Sequence, residues 1–363
     1  LSLAIDAALW DEPTTGIGLY TRELTRALEA RGLPVRLVGA RLSGDHPRGE
    51  TGRSLYALAK LRDVLGGLDE TVYHALANFN LPLTSVPGKK LVLTVHDLIP
   101  LMYPDTVSTA FRWQFRLWLA RSLLVADQII CVSRRTRDDL VARFDVNPAR
   151  VSVVYNGVSH VDAVPRPDAI GQVYLRTLGL PAQFVLYAGA LDARKNIGLV
   201  LDACARLKAK GRAVTLAVLG QSWFGSRAIE KHIAALRVQG LDVRPLGYQE
   251  APVFYEVMRR ASVFVFPSRY EGFGLPPLEA MRLGVPTIVS TAGSLPEVCG
   301  PAAVQVGPDD AEGLAAAIDR LLSSPEERAR RATEGLARAA QFTWDRCAEE
   351  TMAVYERALA DEA

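Results

Sequence analysis

Two glutamates eight residues apart, Glu271 and Glu279, bracket the loop GFGLPP in RYEGFGLPPLEAMRLGVPTIVS, residues 269–290. Gly272 and Gly274 let a ligand approach the backbone and, with Phe273 and Leu275, offer amide donors. Pro276 and Pro277 suit the first turn of a helix running through Leu283, which puts Glu279 in that turn near the positive end of the dipole. A carboxylate on each side of such a loop is suited to accept hydrogen bonds from vicinal hydroxyls, which sugars and ribose both carry. The plainer reading is a pair of salt-bridged surface glutamates. A second segment, LYAGALDARKNIGLVLDA at 186–203, ends a strand near Gly189 and carries Arg194 and Lys195 just before a helix beginning around Asn196. Two cations beside a helix N-terminus suit a diphosphate, although adjacent basic residues also occupy ordinary solvated loops.

Other candidates are weaker by themselves. TTGIGLYTREL (14–24) places Gly16 and Gly18 between a strand and a helix, but Thr21 stands where a dinucleotide fingerprint needs its third glycine, so no NAD site is expected. His96 and Asp97 follow a strand in TVHDLIPLMYP (94–104). No Asp-x-Asp occurs, and the five histidines show no His-Glu-x-x-His spacing, so no metal is expected. Cys131, Cys204, Cys299 and Cys347 stand far apart and read as buried free thiols of a cytosolic protein.

The elements that position these groups alternate. Short apolar runs at 3–9, 34–40, 71–77, 90–96, 128–133 and 151–156, then 184–190, 214–220, 243–247, 263–268 and 286–290, read as strands. Helical patterns lie between them, at 18–31 and 133–144 for example. Continuous apolar strands belong in parallel sheets covered on both faces by helices, so the pattern is α/β, twice. With 363 residues, two domains fit best. The regular pattern lapses at 160–171, where Pro165 and Pro167 suggest a linker between a domain at 1–165 and one at 172–343. Ser324–Ala340 and Trp344–Ala360 read as closing helices, the second capped by Thr343. Forty-two Lys and Arg against forty Asp and Glu leave a charge of +2, which gives no support to nucleic-acid binding. No apolar run is long enough to span a bilayer, and a chain that begins at Leu1 is open to earlier trimming.

The 269–290 string closely resembles the E-x7-E motif of glycosyltransferase family 4. The Arg-Lys-Asn turn, the IGLYTREL opening, the H-D-L-I-P-x-x-Y-P string, VSRRTRDDL (132–140), VVYNGV (153–158) and GSLPEV (293–298) resemble further family segments. The resemblance covers nearly the whole chain. It implies a GT-B architecture of two Rossmann-like domains facing across a cleft, with the helix at 344–363 returning to the first. It also implies that Glu279 binds the donor ribose, that Glu271 and the amides of Gly272, Phe273, Gly274 and Leu275 hold the donor sugar and phosphate, and that Arg194 and Lys195 clamp the pyrophosphate in place of a metal. His96 is then placed near the donor sugar, Gly16 and Gly18 in a loop facing the phosphates, and Tyr248, Phe266 and Ser268 in the nucleotide pocket, with Glu297 secondary. The strings look most like bacterial mannosyltransferases of surface-polysaccharide assembly. They imply a retaining hexosyltransferase using GDP-mannose and a saccharide or lipid-linked acceptor, with UDP-glucose or a UDP-N-acetylhexosamine as alternative donors. A nucleotide-sugar epimerase and a non-catalytic nucleotide-sugar-binding protein are the readings from other classes. The helix TAFRWQFRLWLARSLL (109–124) reads as a core helix with one solvated basic face, a membrane-contacting face being the alternative.

Overall fold

A computed structural model describes residues 1–12, 15–39, 56–57, 59–78, 80–220 and 226–360. Thr14 of the glycine loop, residue 40 of the second expected strand and the last three residues of the expected C-terminal helix lie outside them. The chain divides into two compact units, Leu1–Gly157 with Phe342–Ala363, and Val158–Gln341.

In the first unit the elements are β1 (Leu3–Asp6), α1 (Gly16–Ala30), β2 (Val35–Val38), α2 (Leu61–Gly66), β3 (Val72–Ala75), β4 (Lys90–Val95), α3 (Ile99–Met102), α4 (Thr109–Val125), β5 (Gln128–Cys131), α5 (Arg134–Arg143) and β6 (Val151–Val153). The strands form one parallel sheet in the order β2-β1-β3-β4-β5-β6. Side chains alternate across it, as a period of two requires. Leu3, Ile5, Val72, Val92 and Ile130 pack on α1 and on the C-terminal helix Trp344–Ala360. Ala4, Tyr73, Leu91, Leu93 and Ile129 pack on the other side against Phe115, Leu119 and Leu123 of α4 and Leu140 of α5. Burying side chains such as Trp344, Val354 and Tyr355 contributes about 1.5–3 kcal/mol each, so the returning helix is part of this core.

In the second unit α6 (Ala169–Thr177) is followed by β7 (Val185–Ala188), α7 (Ile197–Ala209), β8 (Thr215–Leu219), α8 (Arg227–Val238), β9 (Asp242–Gly247), α9 (Ala251–Arg260), β10 (Val263–Phe266), α10 (Leu275–Arg282), β11 (Thr287–Ser290), α11 (Leu295–Cys299), β12 (Val304–Val306), α12 (Ala311–Ser323) and α13 (Pro325–Ala339). Its sheet is also parallel, in the order β12-β11-β10-β7-β8-β9. The C-terminal helix of the first unit then becomes α14. Strand order reverses between β7 and β10, the point where a doubly wound sheet opens a crevice at its carboxyl end.

Several local expectations are revised. The passage between units falls at Gly157/Val158 rather than at 160–171. The proline-bearing stretch is held to the second unit: Asp162 accepts from Arg282 at 2.9 Å, and Arg166 donates to Glu256 at 2.6 Å. Strands are shorter than the apolar runs, because residues past the last ladder bond turn into the loops that carry the chemistry. Helix α4 is capped by Ser108 and buries Phe115, Leu119 and Leu123, but its outer face is not simply basic: Trp113, Leu117 and Leu124 are exposed beside Arg116. The four cysteines are buried free thiols, and burial pushes Cys204, Cys299 and Cys347 up to about 12.

Candidate functional site

The two loops that leave the sheet at the reversal point are those after β7 and after β10, and they bring Arg194, Lys195 and Glu271 together. Glu271 Oε1 accepts from Arg194 Nη1 at 2.9 Å, Lys195 Nζ at 2.7 Å and Ser268 Oγ at 2.7 Å. Burial alone pushes the Glu271 carboxyl up, but the charges of Lys195 and Arg194, with hydrogen bonds from Lys195 and Ser268, outweigh it and hold it at about 2. Lys195 Nζ also sits 4.8 Å from the centre of the Phe266 ring, and Asp192 lies 3.7 Å from Arg194. Two cations thus stand at the carboxyl end of the sheet, balanced by two carboxylates.

Backbone contacts fix this arrangement. Arg269 N donates to the Arg194 carbonyl at 2.8 Å, and Arg194 Nη1 returns a bond to the Tyr270 carbonyl at 2.7 Å. Asn196, with φ of 60°, turns the chain into α7 while its Nδ2 holds the carbonyls of Pro267 and Pro308 at 3.1 and 2.7 Å. A left-handed asparagine is tolerated where most side chains are not. From the far side, Ser294 Oγ donates to the Phe273 carbonyl at 2.8 Å, and a Cβ on Gly293 would come within 2.6 Å of Glu271 N. The GSLPEV segment is therefore a buttress for the glutamate loop, and the Glu297 backbone carbonyl accepts from Arg338 at 2.6 Å.

Helix α10 starts at Leu275, with Gly274 as its N-cap at φ 97° and no side-chain cap. The prolines remove two of its first amides, so the donors that the helix itself offers at this end belong to Gly274 and Leu275. Glu279 is the fifth helical residue and so lies in the second turn, not the first. It is buried, and its Oε1 meets His160 Nε2 and the Tyr255 hydroxyl, both at 3.1 Å.

The remaining candidates separate. Phe266 and Ser268 are fully buried and present no surface to a nucleotide; one underlies Lys195 and the other holds Glu271. Tyr248 is 52% exposed beyond β9, two strands from β7. In the first unit, considered alone, His96 follows β4 and its Nε2 lies 2.9 Å from the Leu76 carbonyl, with the Tyr20 ring edge-on at 4.9 Å. Burial lowers His96 to about 4, only partly offset by that hydrogen bond, so the ring is neutral at pH 7. Its Nε2 proton goes to the carbonyl, and Nδ1 keeps a lone pair that accepts. Gly18 is required by the fold, since a Cβ there would meet the Glu12 carbonyl at 2.0 Å, whereas Gly16 faces open space. Sequence reading missed His160, Tyr255, Asn196 and Ser294; of these Asn196, as the third letter of Arg-Lys-Asn, and Ser294, within GSLPEV, carried a local signal.

Two doubly wound units, one with an Arg-Lys pair at its sheet reversal, fit the GT-B architecture of glycosyltransferases. The model for "Glycosyl transferases group 1" matches residues 178–338, and that for "Glycosyltransferase Family 4" matches residues 14–161. The chain belongs to glycosyltransferase family 4 and is a hexosyltransferase. It is 31% identical to O-antigen chain mannosyltransferase B of Escherichia coli over 86% of its own length and 78% of the relative's. It is 34% identical to the MMP alpha-(1->4)-mannosyltransferase of Mycolicibacterium hassiacum over 75% of its length and 66% of the relative's. A glycogen synthase of Mycobacterium tuberculosis is 31% identical over 81% of this chain and 68% of its own. The fold is that of sucrose-phosphate synthase from Thermosynechococcus elongatus, with TM-score 0.75, 23% identity and 99% of each chain covered. Anabaena HepE in complex with UDP gives TM-score 0.73 at 18% identity, covering 98% of this chain and 100% of the other.

Proposed function

We propose that the chain transfers mannose from GDP-mannose to a saccharide or lipid-linked saccharide acceptor, with retention of configuration and without a metal ion. The observation that carries this reading is the convergence of Arg194 and Lys195 beside Glu271 at the reversal point of the second sheet. Relatives named as mannosyltransferases support mannose; the relative named glycogen synthase supports a glucosyl donor such as UDP-glucose as the second reading.

In this mechanism Arg194, Lys195 and the amides from Gly272 to Leu275 hold the diphosphate. Fixed cations stabilise the charge that grows on the leaving phosphate, which is the work a divalent ion does elsewhere. Glu271, ionised and held on one oxygen, takes hydroxyls of the hexose, and Glu279 takes those of the ribose. His96 Nδ1 is set to accept a sugar hydroxyl. No carboxylate is assigned as a covalent nucleophile. The acceptor oxygen bonds to the anomeric carbon on the face from which the phosphate departs, and its proton passes to a phosphate oxygen. This route depends on positioning. The exposed Trp113, Leu117 and Leu124 of α4, flanked by Arg112 and Arg116, support contact with an anionic membrane surface, where a lipid-linked acceptor would lie. Among the described residues no helix is long and apolar enough to cross a membrane.

Calorimetric titration of GDP-mannose, UDP-glucose and UDP-N-acetylglucosamine tests the donor site. GDP-mannose is expected to bind most tightly. Lys195→Ala should weaken it by about 1.5–3 kcal/mol, roughly ten- to a hundredfold, by loss of one charge-assisted contact. Equal affinity in wild type and variant would remove the diphosphate assignment.

A further inference from the structure

Two polar groups from separate segments meet around Glu279. His160 comes from the short 3₁₀ turn Ser159–Ala163, Tyr255 from α9 and Glu279 from α10. His160 Nε2 and the Tyr255 hydroxyl each lie 3.1 Å from Glu279 Oε1, and 3.2 Å from one another. Their rings meet edge-on at 6.3 Å. A carboxylate oxygen facing an imidazole lone pair would be repelled, so Nε2 carries its proton toward Oε1. The tyrosine hydroxyl donates to the same oxygen. The 3₁₀ turn is fastened to α10 a second time, by Asp162 and Arg282.

Both donors fall on Oε1, and neither on Oε2. A glutamate held at one oxygen has its carboxylate plane and side-chain torsions fixed before any ligand arrives, which removes the entropy loss that a mobile side chain suffers on binding. We propose that His160 and Tyr255 are positioning residues that hold Glu279 by Oε1 and aim Oε2 at the vicinal hydroxyls of the donor's ribose. This rests on the reading above that Glu279 receives the ribose. His160 lies in the stretch that the sequence presents as a linker, and its distance of 119 residues from Glu279 hides the pairing.

The test compares a nucleoside diphosphate with its 2′,3′-dideoxy form, using guanosine or uridine according to which donor binds. Dissociation constants of both ligands are measured for wild type and for Glu279→Ala, His160→Ala, His160→Gln and Tyr255→Phe. Wild type should prefer the ribose form by about tenfold or more. Glu279→Ala should abolish that preference. His160→Ala and Tyr255→Phe should each reduce it about three- to tenfold while leaving dideoxy affinity unchanged. His160→Gln, which keeps an N–H donor at a similar reach, should recover part of it. If Glu279→Ala loses the preference while His160→Ala and Tyr255→Phe keep all of it, the positioning role is refuted and the ribose reading stands. Equal losses for both ligands in the two supporting variants would make the triad merely structural and also refute it. If Glu279→Ala leaves discrimination as in wild type, the ribose reading itself falls, and the positioning role with it.

Discussion

At the scale of single residues, the site is defined by how much charge is gathered before a donor arrives. Glu271 and Asp192 face Arg194 and Lys195, so the clamp is held near neutrality by its own carboxylates. Removing the Glu271 charge should therefore separate binding from transfer. Glu271→Gln should bind free nucleoside diphosphate about tenfold more tightly, roughly 1.4 kcal/mol, because the cations are released to the phosphates. The same variant should transfer sugar more slowly, because the hexose hydroxyls lose a charged acceptor. Calorimetry on the free nucleotide, set beside initial rates, checks both halves; unchanged nucleotide affinity would show that Glu271 does not compete for the cations. The pH dependence follows from the same pairing. Because the folded carboxyl sits at about 2, below its ordinary value of 4.5, its stabilising contribution is complete above about pH 4.5 and is lost as pH falls toward 2. Activity lost between pH 6 and 5 therefore has another origin.

At the scale of elements, the sheet reversal decides which loops meet. Arg194 and Glu271 are 77 residues apart, and only the adjacency of β7 and β10 brings them within hydrogen-bond reach. The returning helix α14 is fixed as firmly. Its Tyr355 hydroxyl lies 2.7 Å from Nδ1 of the buried His74, whose Nε2 lies 2.7 Å from Thr94 Oγ1. Burial and the neighbouring His96 lower His74 to about 3, so it is neutral and needs both partners. Tyr355→Phe leaves one buried ring nitrogen unsatisfied and should destabilise the protein by about 1–3 kcal/mol in denaturant unfolding, with donor affinity intact. A stability equal to wild type would show that another group takes over that hydrogen bond. The strands were legible because their continuous apolar runs are what a doubly covered parallel sheet requires. β12 escaped notice, since three residues at a sheet edge, with the exposed Gln305 between Val304 and Val306, leave no apolar run. The cations and glutamates were legible as types in turns beside strand ends, but their convergence was not, because it depends on strand order. The prolines at 165 and 167 suggested a free linker, and nothing local shows that His160, Asp162 and Arg166 bind it to the second unit. Gly18 lies within α1 rather than in the loop before it, and a Cβ there would meet the Glu12 carbonyl, a packing demand that no local pattern shows.

At the scale of the whole molecule, each unit alone is a parallel sheet with its polar candidates at the carboxyl ends of strands, and family membership assigns the pair to hexosyl transfer. The reading beyond that is specific: mannose, retention, and cationic side chains in place of a metal. Its most direct test is proton NMR of the first mannose to leave GDP-mannose, observed before mutarotation, on an acceptor sugar or on water, in excess chelator. An α anomer is expected, at a rate that chelation leaves unchanged. A β anomer, or a reaction that chelation stops and a divalent cation restores, would contradict it.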